Sequence, residues 1–99
     1  MKRKYLLFSL LLAGSSLYAQ EWPAVRPEAR PATRWWWLGS AVDATNLTYN
    51  LEEYAKAGLG GVEITPIYGV QGNDKNNLPF LSPQWMNMLQ HTEAEGKRI

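Results

Sequence analysis

Residues 52–69 read EEYAKAGLGGVEITPIYG, and the change of pattern inside them decides the fold class. Their first half is the end of an amphipathic helix. Leu47, Leu51, Tyr54 and Ala55 recur at spacings of four, three and one, which puts one apolar stripe on a helix of 3.6-residue period. Asp43 is placed to cap that helix, because its carboxylate can accept the orphan backbone N–H groups of the first turn. Val42 and Leu47 have the spacing of a hydrophobic staple across the same cap. Gly58 supplies the left-handed stop. The reading is a helix from Asp43 to about Ala57. After one short turn, Val62, Ile64 and Thr65 favour a strand, and Pro66 is expected to end its ladder by removing a donor.

Working outward, the pattern repeats. Upstream, RWWWLG (residues 34–39) is a short apolar run closed by a glycine and reads as a buried strand. Downstream, residues 68–79 form a polar loop longer than a minimal connection. Ser82 and Pro83 then open a second helix, with Ser at the cap and Pro at the first helical position. Leu81 and Met86 repeat the staple spacing. Trp85, Met88, Leu89 and Thr92 mark its inner face, Gly96 is expected to stop it, and KRI at 97–99 reads as the lead-in to a third strand. Strands alternating with helices imply an α/β fold of parallel βα units. Two such units neither close a sheet nor cover both its faces. The expected architecture is therefore the first two βα units of a (β/α)8, TIM-type barrel, incomplete in this chain and not expected to fold stably on its own.

The N-terminus has the three parts of an export signal: Lys2, Arg3 and Lys4, an apolar run from Tyr5 to Ala13, and small residues leading to Ala19. The run is shorter than the roughly 20 apolar residues that span a bilayer. Residues 1–19 are thus expected to be removed on export, leaving 80 of the 99 residues. Three of the ten basic residues and none of the nine acids leave with them, so the remainder is acidic on balance. No basic stripe remains to track phosphates, which argues against a nucleic-acid partner. With the signal gone, no membrane attachment is expected either. The chain has no cysteine, which excludes disulfides, thiolate metal sites and thiol nucleophiles. Pro23, Pro27 and Pro31 make residues 20–33 a proline-rich leader of extended backbone. The domain scheme is signal 1–19, leader 20–33 and barrel portion 34–99, in a secreted or periplasmic protein.

In barrels of this kind, functional side chains sit at the C-terminal ends of strands and in the loops that follow. In the second strand, Val62 and Ile64 share one face and suit packing against helices, so Gly61, Glu63 and Thr65 point inward. A carboxylate there is costly without a ligand or a basic partner. Glu63 is the first substrate-binding candidate. Alternation sends Trp35 and Trp37 to one side and Trp36 to the other. Trp35 and Trp37 are candidates for stacking on a sugar ring at the barrel mouth, and Tyr68, just beyond strand two, joins them. GNDKNN at 72–77 lacks the spaced acids of a calcium-binding EF-hand loop and reads as an ordinary turn. The sequon at Asn46 falls inside a helix, and His91, with no second ligand nearby, reads as a surface residue. No metal set is expected among these residues.

Three segments, RPATRWWWLGSAVD (30–43), LEEYAKAGLGGVEITPIYG (51–69) and LSPQWMNMLQHTEAEGKR (81–98), together resemble the start of the catalytic module in glycoside hydrolase family 106. The tryptophan run and AGLGGVEI carry most of the resemblance. It implies a large secreted or periplasmic α-L-rhamnosidase that acts with inversion on rhamnosides of plant polysaccharides or glycosides, with calcium near the active site in characterised members. Inversion needs a carboxylic acid and a carboxylate on opposite sides of the glycosidic bond. Neither maps onto this chain, so no catalytic residue is assigned and the fragment alone is expected to be inactive. Two other readings stand beside it: a different TIM-barrel glycosidase, or a small exported carbohydrate-binding module that uses its tryptophans without chemistry.

Overall fold

The computed structural model describes residues 21–99, in the order β1 (Ala32–Leu38), α1 (Ala44–Lys56), β2 (Gly61–Ile67) and α2 (Pro83–Arg98). The expected export signal lies outside the described residues. The two strands pair in parallel, in a register that sets Arg34 beside Glu63, Trp36 beside Thr65 and Leu38 beside Ile67. This is one strand–helix–strand unit followed by a second helix, in agreement with the alternation read from the sequence. Closure into a barrel would require further strands.

The caps act as their residue types dictate. The Asp43 carboxylate accepts the Asn46 backbone N–H at 2.9 Å and the Asn46 side-chain amide at 2.7 Å, and these bonds hold its carboxyl below the usual carboxylate range. At the other end of α1, Gly58 has φ +92°. Its N–H bonds the Ala55 carbonyl while the Leu59 N–H bonds that of Tyr54, the paired pattern of a Schellman stop. Ser82 Oγ accepts the Trp85 N–H at the start of α2, with Pro83 at the first helical position.

Several expectations need correction. Pro66 does not end β2, which runs on to Ile67. The Ile67 carbonyl accepts the Gly39 N–H at 2.9 Å, so strand parity turns the Pro66 nitrogen to the outer edge, where no donor is needed. Gly96 does not stop α2, and Lys97 and Arg98 are its last turn rather than a third strand. Arg98 bonds Glu95 in α2 and Glu52 in α1, both at 2.7 Å, which ties the helix ends together. Leu81 and Met86 are exposed, so the second staple is not packed. The leader is not wholly extended: it contains a 3-10 turn at Pro27–Ala29, and β1 begins within it at Ala32. The Pro31 carbonyl accepts the Gly60 N–H at 2.9 Å, which stitches the end of the leader to the start of β2.

Gly96 therefore occupies an ordinary helical position, and a methyl group there would meet nothing within 4 Å. Gly96→Ala is expected to raise stability by about 0.5–1 kcal/mol, because alanine loses less backbone entropy on entering a helix. Chemical denaturation checks this, and a loss of stability would mean that α2 does not extend through this residue.

Both helices lie on the same side of the sheet. Trp35 and Trp37 from β1, Leu47 and Leu51 from α1 and Trp85 from α2 form the buried core, flanked by Tyr54, Val62, Ile64 and Leu89. Trp37 meets Trp35 edge to face at 5.8 Å between ring centroids, and Trp85 at 6.0 Å, geometries that suit the ring quadrupoles. The Trp85 indole N–H donates to Ser40 Oγ at 3.0 Å. Buried Thr92 satisfies its hydroxyl on the Met88 carbonyl at 2.8 Å. His91 is not a free surface residue. Its Nε2 lies 3.0 Å from the Ala44 carbonyl and 2.9 Å from Thr48 Oγ1. Since a carbonyl only accepts, Nε2 carries the proton, and the ring links α2 to α1.

Candidate functional site: the open face of the sheet

Parity along the strands divides the side chains in two. Thr33, Trp35 and Trp37 on β1, with Val62 and Ile64 on β2, turn toward the helices. Arg34, Trp36 and Leu38, with Glu63, Thr65 and Ile67, turn to the face that no helix among the described residues covers. Glu63 is thus on the side expected from its alternation with Val62 and Ile64, but it is the third of the seven residues of β2, away from the C-terminal strand end where barrel sites form. It has a basic partner within this chain: Arg34 Nε stands 3.6 Å from Glu63 Oε1. That separation is too long for a hydrogen bond, and both side chains are more than half exposed, so the pair is worth little to stability. The Arg34 guanidinium also lies over the Trp36 ring, 5.4 Å from its centroid, within cation–π range.

Trp35 and Trp37 are corrected by this placement. They are 7% and 1% exposed, packed between sheet and helices and on the opposite side of the sheet from Glu63. A sugar ring cannot stack on either without opening the core. Trp36, at 51% exposed, is the indole that solvent reaches. The sequence held a signal for this. Arg34 shares the parity of Trp36, and a charge at that parity marks the solvent side of β1.

Tyr68, 85% exposed, belongs to a second place. It lines a cleft of about 710 Å³ at the C-terminal ends of both strands, with Gly39, Asp74, Asn77 and Phe80. The Asn77 carboxamide fills the space between Gly39 and Gly69, where a side chain on either glycine would collide with it. Asn77 Oδ1 and Trp37 Nε1 are buried without a hydrogen-bond partner among the described residues. Asn77 carried no sequence signal beyond its membership of a polar loop. The four sequence candidates therefore do not form one site: Glu63 is on the open face, Tyr68 is at the strand ends, and Trp35 and Trp37 are in the core.

The loop around Asp74 forms a 3-10 turn at Asp74–Asn76. Among the described residues, no three His, Cys, Asp or Glu side chains come together as a metal-binding group, and no helix is long and apolar enough to cross a membrane. Comparison of the chain with protein-family models, with curated proteins and with solved structures returned no match.

Proposed function

We propose that this chain is the N-terminal part of a secreted or periplasmic glycoside hydrolase of α-L-rhamnosidase type, contributing the first two βα units of its (β/α)8 barrel. The supporting observation is the one-sided packing. Both helices cover the Trp37 face of a parallel pair, and among the described residues the other face, with Glu63 and Trp36, is left free, as the inner wall of a barrel requires. The three sequence segments quoted above supply the substrate class. The acid and base of the inverting reaction would come from later strands, and so would any calcium ligands. In this reading Glu63 hydrogen-bonds a hydroxyl of the bound rhamnoside and takes no proton in the reaction.

The test is hydrolysis of an aryl α-L-rhamnoside by this chain and by a polypeptide in which it continues into further βα units. The longer polypeptide is expected to hydrolyse the rhamnoside and the 99-residue chain is not. Cleavage by the short chain would place a catalytic pair within it and overturn the reading. Cleavage of other glycosides but not rhamnosides would favour a different barrel glycosidase. In the active polypeptide, Glu63→Gln is expected to lower kcat/KM about ten- to a hundredfold, the effect of weakening one charge-assisted hydrogen bond. A loss of several further orders of magnitude would make Glu63 itself the acid or base. An unchanged rate with a lower melting temperature would leave it only the ion-pair partner of Arg34.

A further inference from the structure

We propose that residues 26–31 form a docked strap, seated on Gly60, that closes the N-terminal end of the core and holds the leader against proteolysis. The strap stands apart from the glycosidase reading, since it needs no substrate and no later strand. Its shape is set locally. Pro27 fixes φ at the first position of the 3-10 turn Pro27–Ala29. The Ala29 N–H donates to the Arg26 carbonyl at 3.0 Å and the Arg30 N–H to the Pro27 carbonyl at 3.1 Å. Pro31 then keeps Arg30 extended, at φ −86° and ψ 153°. Two prolines restrict the turn before it meets anything, so less backbone freedom remains to be lost on docking.

The seat is the corner that leads into β2. The Pro27 carbonyl fills the place that a Cβ on Gly60 would take, and Arg30 Cβ is 2.8 Å from that place. The Gly60 N–H donates to the Pro31 carbonyl at 2.9 Å. Gly60 is not one of the glycines with positive φ, so its own backbone would accept alanine. It is the approach of the strap that excludes a side chain. Neighbouring Gly61 differs: a Cβ there meets only the Ala32 methyl group, at an ordinary 3.9 Å. Beyond the seat, Pro27 and Arg30 border one end of a groove of about 600 Å³ whose walls include Leu51, Tyr54, Leu59 and Val62. The strap therefore lies across the end of the apolar layer between β2 and the helices. Its side chains are exposed, so what docking restrains is the backbone, and a protease needs that backbone free. Arg26 and Arg30 each precede a proline, which bars cleavage after either by trypsin-like enzymes. The Glu28–Ala29 bond inside the turn is the one that reports docking.

The experiment is digestion of the 99-residue chain with a glutamate-specific protease, followed by mass spectrometry. A synthetic peptide of residues 20–33 gives the undocked rates at Glu21 and Glu28. Cleavage of a docked segment follows the fraction of time it spends open. In the wild-type chain, cleavage after Glu28 is expected to be about tenfold slower than in the peptide, and cleavage after Glu21, outside the strap, equally fast in both. Gly60→Ala is expected to bring Glu28 back to the peptide rate while Glu52 and Glu53 in α1 stay protected. Gly61→Ala is expected to keep Glu28 protected. A wild-type chain cut after Glu28 at the peptide rate would overturn the strap, whether the rest of the chain is folded or not. Full protection in Gly60→Ala would overturn the seat, as would equal loss of protection in both glycine variants. Loss at Glu52 and Glu53 together with Glu28 in Gly60→Ala would also overturn it, because Gly60 would then serve the core as a whole and not the strap.

Discussion

Replacing Trp37 with alanine is expected to abolish the near-ultraviolet circular dichroism of the chain, and Trp36→Ala to leave it nearly intact. Trp37 is one of the two largest fully buried side chains and touches Trp35 and Trp85 edge on. Truncating a buried tryptophan costs about 3–5 kcal/mol in lost transfer free energy and cavity formation. A core in a chain of this size supplies only about that much in total, so the cooperative fold should be lost. Among the described residues the indole N–H of Trp37 has no partner, and Trp37→Phe removes that desolvation penalty together with some volume. It should therefore be much milder than Trp37→Ala. Trp36 lies on the open face, and its truncation should change stability by no more than about 0.5 kcal/mol. Denaturant titration of the three variants checks the order. Equal losses from Trp36→Ala and Trp37→Ala would mean that β1 does not have this parity.

The second large effect is expected at Gly39. This residue has φ +62°, a left-handed conformation in which a β-branched side chain is strongly disfavoured. Any Cβ there also runs into the Asn77 carboxamide. Gly39→Val should cost about 3 kcal/mol or more, combining backbone strain with displacement of Asn77. It should also free the loop, because the Gly39 carbonyl accepts the Leu78 N–H at 3.1 Å. Gly58→Ala is the control. It has φ +92° but nothing within 4 Å of an added Cβ, so it tests strain alone and should cost less. Thermal melts of both variants separate the two contributions. Comparable losses would show that Asn77 yields easily and does not anchor the strand ends.

Both predictions depend on features that were unequally legible. The helix caps at Asp43 and Ser82 and the stop at Gly58 follow from local chemistry. A carboxylate or hydroxyl beside orphan N–H groups, and a residue without a Cβ at a left-handed position, need no distant partner. The βαβα order followed for the same reason, as did the division of β2 into a Val62–Ile64 face and a Glu63–Thr65 face. Boundaries were less legible where a distant group overrode a local preference. Gly96 has poor helix propensity, but α2 passes through it, and Arg98 beyond it bonds Glu95 and reaches Glu52 on α1. Pro66 should end a ladder, but the direction of its missing donor depends on which edge of β2 pairs with β1. His91 looked unpartnered because Ala44 and Thr48 lie more than forty positions away in the chain and meet it only when the helices pack.

What the sequence determined by itself is a parallel strand–helix–strand–helix chain in which three adjacent tryptophans must divide between two faces, since side chains on a strand alternate. Which tryptophans went inside was decided by tertiary structure. The register of β1 against β2 and the docking of Leu47, Leu51 and Trp85 onto one side bury Trp35 and Trp37 and leave Trp36 beside Arg34 and Glu63. Local alternation separates two sets of residues, and the charge of Arg34 favours water for the set that holds Trp36. The burial of apolar area against a second layer fixes that choice, because it turns Trp35 and Trp37 away from water.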